Sequence, residues 1–150
     1  VGGSQADYEE AKPYFDLMGK VSHYLGEIGK GSSMKLLINS MLAQDLAIFA
    51  ETLHLGMAMG FTKEQVMDTL LQHPVAAPIL KGKRDKLMAE NYEAEFPLKH
   101  MQKDLYLVSE TAFELNRAMP IAGAAKELYA QAKQNGLGDL DIAAIYKWLK

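Results

Sequence analysis

The chain contains no cysteine, which excludes disulfides, thiolate nucleophiles and cysteine-held zinc together and is compatible with a reducing compartment. A strong excess of one charge sign is also missing. Lys and Arg number 16 against 19 Asp and Glu, and the formal charge of −3 gives no global attraction to nucleic acid. The four histidines, His23, His54, His73 and His100, show no metal-ligand spacing and no acidic cluster beside them, so no metal is expected. No Ser-His-Asp or Cys-His arrangement is present, nor an internal repeat or a signal-peptide pattern. No uninterrupted apolar run approaches the roughly 20 residues that span a bilayer. The richest stretch, from Leu36 to Phe49, is broken by Asn39, Gln44 and Asp45. The expectation is an intracellular protein, in cytoplasm or an organellar matrix, with neither membrane nor nucleic acid as a partner.

What is present is a globular composition, 49% hydrophobic and 23% charged, over 150 residues. That length suffices for one domain with a real core. The opening Val1-Gly2-Gly3-Ser4 carries no initiator methionine and reads like the end of a strand and a turn. A piece of a larger protein is expected from it. Ser4 or Asp7 caps a first helix to about Met18, closed by Gly19. Val21 to Leu25 alternates between glycines and predicts a single strand.

Beyond Gly31 the pattern is helical throughout. Met34, Leu37, Ile38, Met41, Leu42, Ile48, Phe49, Thr52 and Leu53 follow one stripe, while Ala43, Leu46, Ala47 and Ala50 fill another side. The predicted helix starts near Ser32, runs to Met59 ahead of Gly60, and is apolar nearly all round, as buried or subunit-contact helices are. Thr62-Lys63-Glu64-Gln65 is a capping-box pattern for a helix ended by Pro74. Further helices are predicted from Pro78 to Ala89, after Pro97 along Leu98, Met101, Leu105, Val108, Ala112 and Leu115, and from Pro120 to near Gly136. Asp139 is the expected cap of a last one through Trp148.

Two constellations carry chemistry. Gly26, Gly29 and Gly31 run into the long helix, where Lys35 and Asn39 stand four residues apart. Four residues turn a helix by about 400°, so the two side chains lie one above the other. One reading has Lys35 reaching to water and Asn39 bonding to backbone. The other has the glycines and the helix start holding an anion, with Lys35 moving a proton and Asn39 donating to the ligand. The glycine order is neither a Rossmann fingerprint nor a P-loop. The second constellation is Phe96-Pro97-Leu98-Lys99-His100-Met101-Gln102-Lys103-Asp104-Leu105. By itself it reads as a solvated face with a His100–Asp104 pair. The basic run Lys81 to Lys86, interrupted by Asp85, reads as another solvated face, and the nine methionines as core or interface material.

Taken together the two constellations resemble the C-terminal helical domain of the β-hydroxyacid dehydrogenases, a family that includes 3-hydroxyisobutyrate dehydrogenase and the glyoxylate/succinic semialdehyde reductases. The carrying pattern is G-x-x-G-x-G-x-x-x-K-x-x-x-N from Gly26 to Asn39, followed by Lys103-Asp104-Leu105. Val1-Gly2-Gly3, the helix through Ala11-Lys12-Pro13 to Met18-Gly19-Lys20 and the strand after it also match. The resemblance covers essentially the whole chain. It implies an all-α fold, a 6-phosphogluconate dehydrogenase C-terminal-domain-like bundle around one long central helix, preceded by a helix-and-strand remnant of a Rossmann domain. Residues 1–29 would be the tail of a cofactor domain, and 30–150 the catalytic and oligomerisation domain. The implied reaction is NAD(P)-linked hydride transfer with a small β-hydroxy acid or semialdehyde. Lys35 would be the catalytic acid/base, Asn39 and Gly31 substrate-binding, and Lys103 and Phe96 cofactor-side. NAD or NADP would bind mainly to an N-terminal Rossmann domain, so the 150 residues alone are expected to be inactive. A homo-oligomer is expected. The alternative is a non-catalytic helical dimerisation or interaction module of the same fold.

Overall fold

The computed structural model describes residues 1–150, and its regular structure is entirely helical. Seven α-helices follow in order: α1 Gln5–Met18, α2 Lys30–Ala58, α3 Lys63–Gln72, α4 Pro78–Ala89, α5 Leu98–Glu114, α6 Pro120–Ala132 and α7 Ile145–Trp148. The chain divides into two compact units, Val1–Ile38 and Asn39–Lys150.

In the first unit α1 begins as its sequence dictates: the Ser4 hydroxyl accepts from the Asp7 N–H, and Gly19 closes the helix. The expected strand at Val21–Leu25 does not form. Val1 N donates to His23 O at 2.7 Å and Leu25 N to Val1 O at 2.9 Å, which is one rung of parallel pairing opposite Tyr24. Gly3 N then bonds to Gly26 O, where Gly26 has left the extended region at φ +98°, and the ladder goes no further. A strand needs a continued ladder, and one rung with α1 as its crossover does not supply it. Gly2 is required here by space, and Gly31 packs tightly. A Cβ on Gly2 would lie 2.7 Å from Glu27 O, and one on Gly31 would lie 3.1 Å from Gly2 N. Helix α2 starts two residues ahead of Ser32 because Glu27 O and Gly29 O accept the N–H groups of Lys30 and Ser33.

In the second unit the face of α2 that is buried is the small-residue one: Ala43, Leu46, Ala47, Ala50 and Leu53, with Phe49 beside them. Met41, Ile48 and Leu55, and Met59 just past its end, stay exposed. By length and composition alone α2 could cross a bilayer, although nearly half of its most apolar stretch is buried within the protein. It packs a core completed by Met67, Leu87, Leu98, Met101, Leu105, Tyr129, Ile142 and Tyr146. Gly56 lets α2 approach α3 closely, since a Cβ there would sit 2.6 Å from a Val66 methyl. The capping box of α3 forms in full, with Thr62 Oγ1 accepting from Gln65 N and Gln65 Oε1 accepting from Thr62 N. The stripe of α5 buries Leu98, Met101, Leu105 and Val108, but Leu115 is exposed, because the helix ends at Glu114 and leaves Leu115 as its cap. The chain leaves α6 through a kink at Gly136 (φ +84°). The cap of the final helical segment is Asp141, not Asp139. Asp141 accepts from Ala143 N, while Asp139 lies on the surface and pairs with Lys99.

Candidate active site

Lys35 belongs to the first unit. It is exposed and lines a groove of about 570 Å³ whose other walls include Phe15, Met18, Val21, Leu25, Met34 and Ile38. The groove is bounded by α1, the extended segment after it and the first turns of α2. Lys35 thus stands on the rim of a groove walled largely by apolar side chains, with Ser22 and His23 also lining it. Gly31 lies on the same groove, with the Val1–Gly2 backbone packed against it.

Asn39 belongs to the second unit and is buried. Its Nδ2 donates to Asp104 Oδ2 at 2.6 Å across a sequence separation of 65 residues. The acceptor is a carboxylate, so the amide nitrogen must face it, which fixes the flip of the Asn39 side chain. Asp104 is 2% exposed, and Lys103 Nζ stands 2.9 Å from its other oxygen, with the Lys103 side chain largely in solvent. The expected His100–Asp104 pair is therefore replaced by a deeper one. The structure brings Asp104, Lys103 and Asn39 together and makes Asp104 the group that orients Asn39. The signal for this was periodic: Asp104 falls within the Leu98, Met101, Leu105, Val108 stripe, and Asn39 falls on an apolar helix. Two polar residues on two buried faces require each other.

Phe96, half-buried, ends the loop that enters α5. Its N–H donates to Asp141 Oδ2 at 3.2 Å, and its carbonyl accepts from Ile142 N at 2.9 Å. Burial pushes the Asp141 carboxyl up. The Ala143 N–H, the Lys83 ammonium and the Glu95 and Phe96 N–H groups outweigh it, and the carboxyl sits below the usual range. Burial likewise pulls Lys83 down, but Glu95 and Asp141 raise it further, so it stays charged. No group of three or more His, Cys, Asp or Glu side chains is arranged to hold a metal ion.

A family model described as "NAD-binding of NADP-dependent 3-hydroxyisobutyrate dehydrogenase" matches residues 29–149. The chain belongs to this family. Glyoxylate/succinic semialdehyde reductase 2, chloroplastic, of Arabidopsis thaliana is 38% identical over 150 residues, all of this chain and 42% of its own length. Cytokine-like nuclear factor N-PAC of Homo sapiens is 34% identical over 147 residues, 98% of this chain and 27% of its own. The crystal structure of 3-hydroxyisobutyrate dehydrogenase from Salmonella typhimurium superposes with a TM-score of 0.90 at 23% identity, over 97% of this chain and 52% of that one. The all-α fold is thus the fold of the family's helical portion. The chain spans about half the length of these relatives or less.

Proposed function

We propose that the chain is the helical half of an NAD(P)-dependent oxidoreductase acting on a small β-hydroxy acid or the matching semialdehyde, with Lys35 as general acid/base. The observation that carries the reading is the exposed Lys35 ammonium on an apolar groove, in a chain of this family. Exposed Lys103 and half-buried Phe96, flanking the start of α5, fit the anionic and aromatic parts of a dinucleotide. When bound, the nicotinamide supplies or accepts the hydride. In the reducing direction Lys35 Nζ gives a proton to the substrate oxygen that becomes the hydroxyl. In the oxidising direction it takes that proton back. Asn39, its amide set by Asp104, donates to the substrate, and Gly31 allows a carboxylate close to the backbone. Residues 1–29 are the part that continues into a cofactor domain: the single parallel rung between Val1 and Tyr24, with α1 as its crossover, supports a sheet edge there. The compartment is intracellular on this reading.

The test is Lys35→Ala in the complete protein. Hydride transfer should fall by about 10²–10⁴-fold with cofactor affinity nearly unchanged. The likeness to N-PAC favours a second reading, a helical interaction module without chemistry. Unchanged turnover in Lys35→Ala would remove the general acid/base role from Lys35, whereas no turnover in the wild-type complete protein with any small hydroxy acid or semialdehyde would favour the second reading.

A further inference from the structure

The start of α5 and the loop before it are held by a segment 39 to 49 residues later in the chain. Leu98 N donates to Leu140 O at 2.8 Å, Lys99 N to Gly138 O at 2.9 Å, Asp141 N to Tyr92 O at 2.9 Å and Ile142 N to Phe96 O at 2.9 Å. At the centre of this strap Asp141, fully buried, accepts from Glu95 N (3.0 Å), Phe96 N (3.2 Å) and Lys83 Nζ (3.0 Å) through Oδ2, and from Ala143 N (3.1 Å) through Oδ1. Lys83, 5% exposed, also reaches Glu95 Oε2 at 2.8 Å. Both backbone polar groups of Phe96 are therefore tied to residues 141 and 142.

Burying a carboxylate and an ammonium is unfavourable, and apolar side chains could fill the same volume. What the charge adds is direction. A carboxylate that takes two successive N–H groups fixes the peptide planes of 95 and 96, which a neutral side chain holds less firmly. Those planes set where the Phe96 ring and the first turn of α5 lie, and Lys103 and Asp104 follow along the same helix. We propose that Asp141, with Lys83 as its counter-ion, is a positioning residue for the cofactor-side end of the active site. The inference rests on the functional reading above.

The test is made in the complete protein with Asp141→Asn, Lys83→Met and Lys83→Arg, alongside Lys35→Ala. Asp141→Asn keeps the size and turns an amide toward N–H donors. Its KM for NAD(P)H should rise about tenfold or more while kcat stays within about threefold and the helical circular dichroism is unchanged. Lys83→Met should raise the same KM less, about threefold, and Lys83→Arg should restore it. If Asp141→Asn does not fold, the Lys83 pair decides. Folded variants with wild-type KM, or loss of kcat and apparent affinity only in step with the unfolded fraction, overturn the proposal. Lys35→Ala reports separately on the parent reading, since it should lower kcat and leave the cofactor KM alone. If Lys35→Ala is fully active, the parent reading falls while the KM shifts still decide whether Asp141 positions the cofactor end.

Discussion

The Asn39–Asp104 hydrogen bond can be measured as a free energy. Both side chains are buried, 8% and 2% exposed, and Nδ2 stands 2.6 Å from Oδ2. A hydrogen bond to a charged acceptor contributes about 1.5–3 kcal/mol, and a buried donor left without a partner carries a similar penalty. Asp104→Ala removes the acceptor and strands the Asn39 amide. Lys103, mostly solvated, returns to water and adds about 1 kcal/mol at most. The expected loss is about 2 kcal/mol, or a melting-point drop of roughly 4–8 °C for a chain of this size. Asn39→Ala leaves a buried carboxylate short of a donor and should cost about 3 kcal/mol. The double variant should lose about 2 kcal/mol less than the sum, because neither partner remains to be stranded. Urea unfolding followed at 222 nm on all four proteins gives the coupling, provided the slope m is unchanged. A coupling below about 0.5 kcal/mol would refute the reasoning, and Asn39 would then need another partner to fix its amide.

Gly56→Ala gains roughly 0.5–1 kcal/mol of helix propensity but drives a methyl into stiff, β-branched Val66, which costs about 1–3 kcal/mol, so the variant should be less stable. Adding Val66→Ala should recover the clash, and a Gly56→Ala variant as stable as wild type would show that α2 and α3 have room to part. The depressed Asp141 carboxyl makes a stability contribution that is present above its unfolded pKa of about 3.9 and lost as pH falls through the lower folded value. Asp141→Asn should therefore flatten the acid limb of the stability profile below about pH 4, and chemical denaturation between pH 2 and 6 measures it. The 150 residues alone should show no nicotinamide-dependent turnover, checked by absorbance at 340 nm with glyoxylate or succinic semialdehyde as substrate, and any steady rate above the no-substrate control contradicts the division of labour argued above.

Most helices were legible because their ends carry local chemistry: Ser4, the Thr62 box, Pro78 and Pro120 each act within one turn of their own position. The strand at 21–25 was not, because alternation reports β propensity while a ladder depends on a partner, and only Val1 supplies one rung. Asp139 and Asp141 both offer a capping carboxylate, and choosing between them required knowing which one the Lys83 ammonium meets in the interior. Lys35, Asn39 and Gly31 stood out by spacing within one short segment. The role of Asp104 toward Asn39 did not, since it depends on two helices meeting across 65 residues.

The strap over the start of α5 sets an order of events when the protein is made. Ribosomes deliver the chain from its N-terminus, so helices α1 to α6 are available before residues 138–142 emerge. Until they do, the N–H groups of Glu95, Phe96, Leu98 and Lys99 have no partners of the final structure, and Lys83 has no buried counter-ion. A nascent chain halted just short of Asp141 would own six of its seven α-helices and still leave the loop before α5 without its buried carboxylate. A protease or chaperone that meets the chain before residues 138–142 emerge would find the start of α5 still untied.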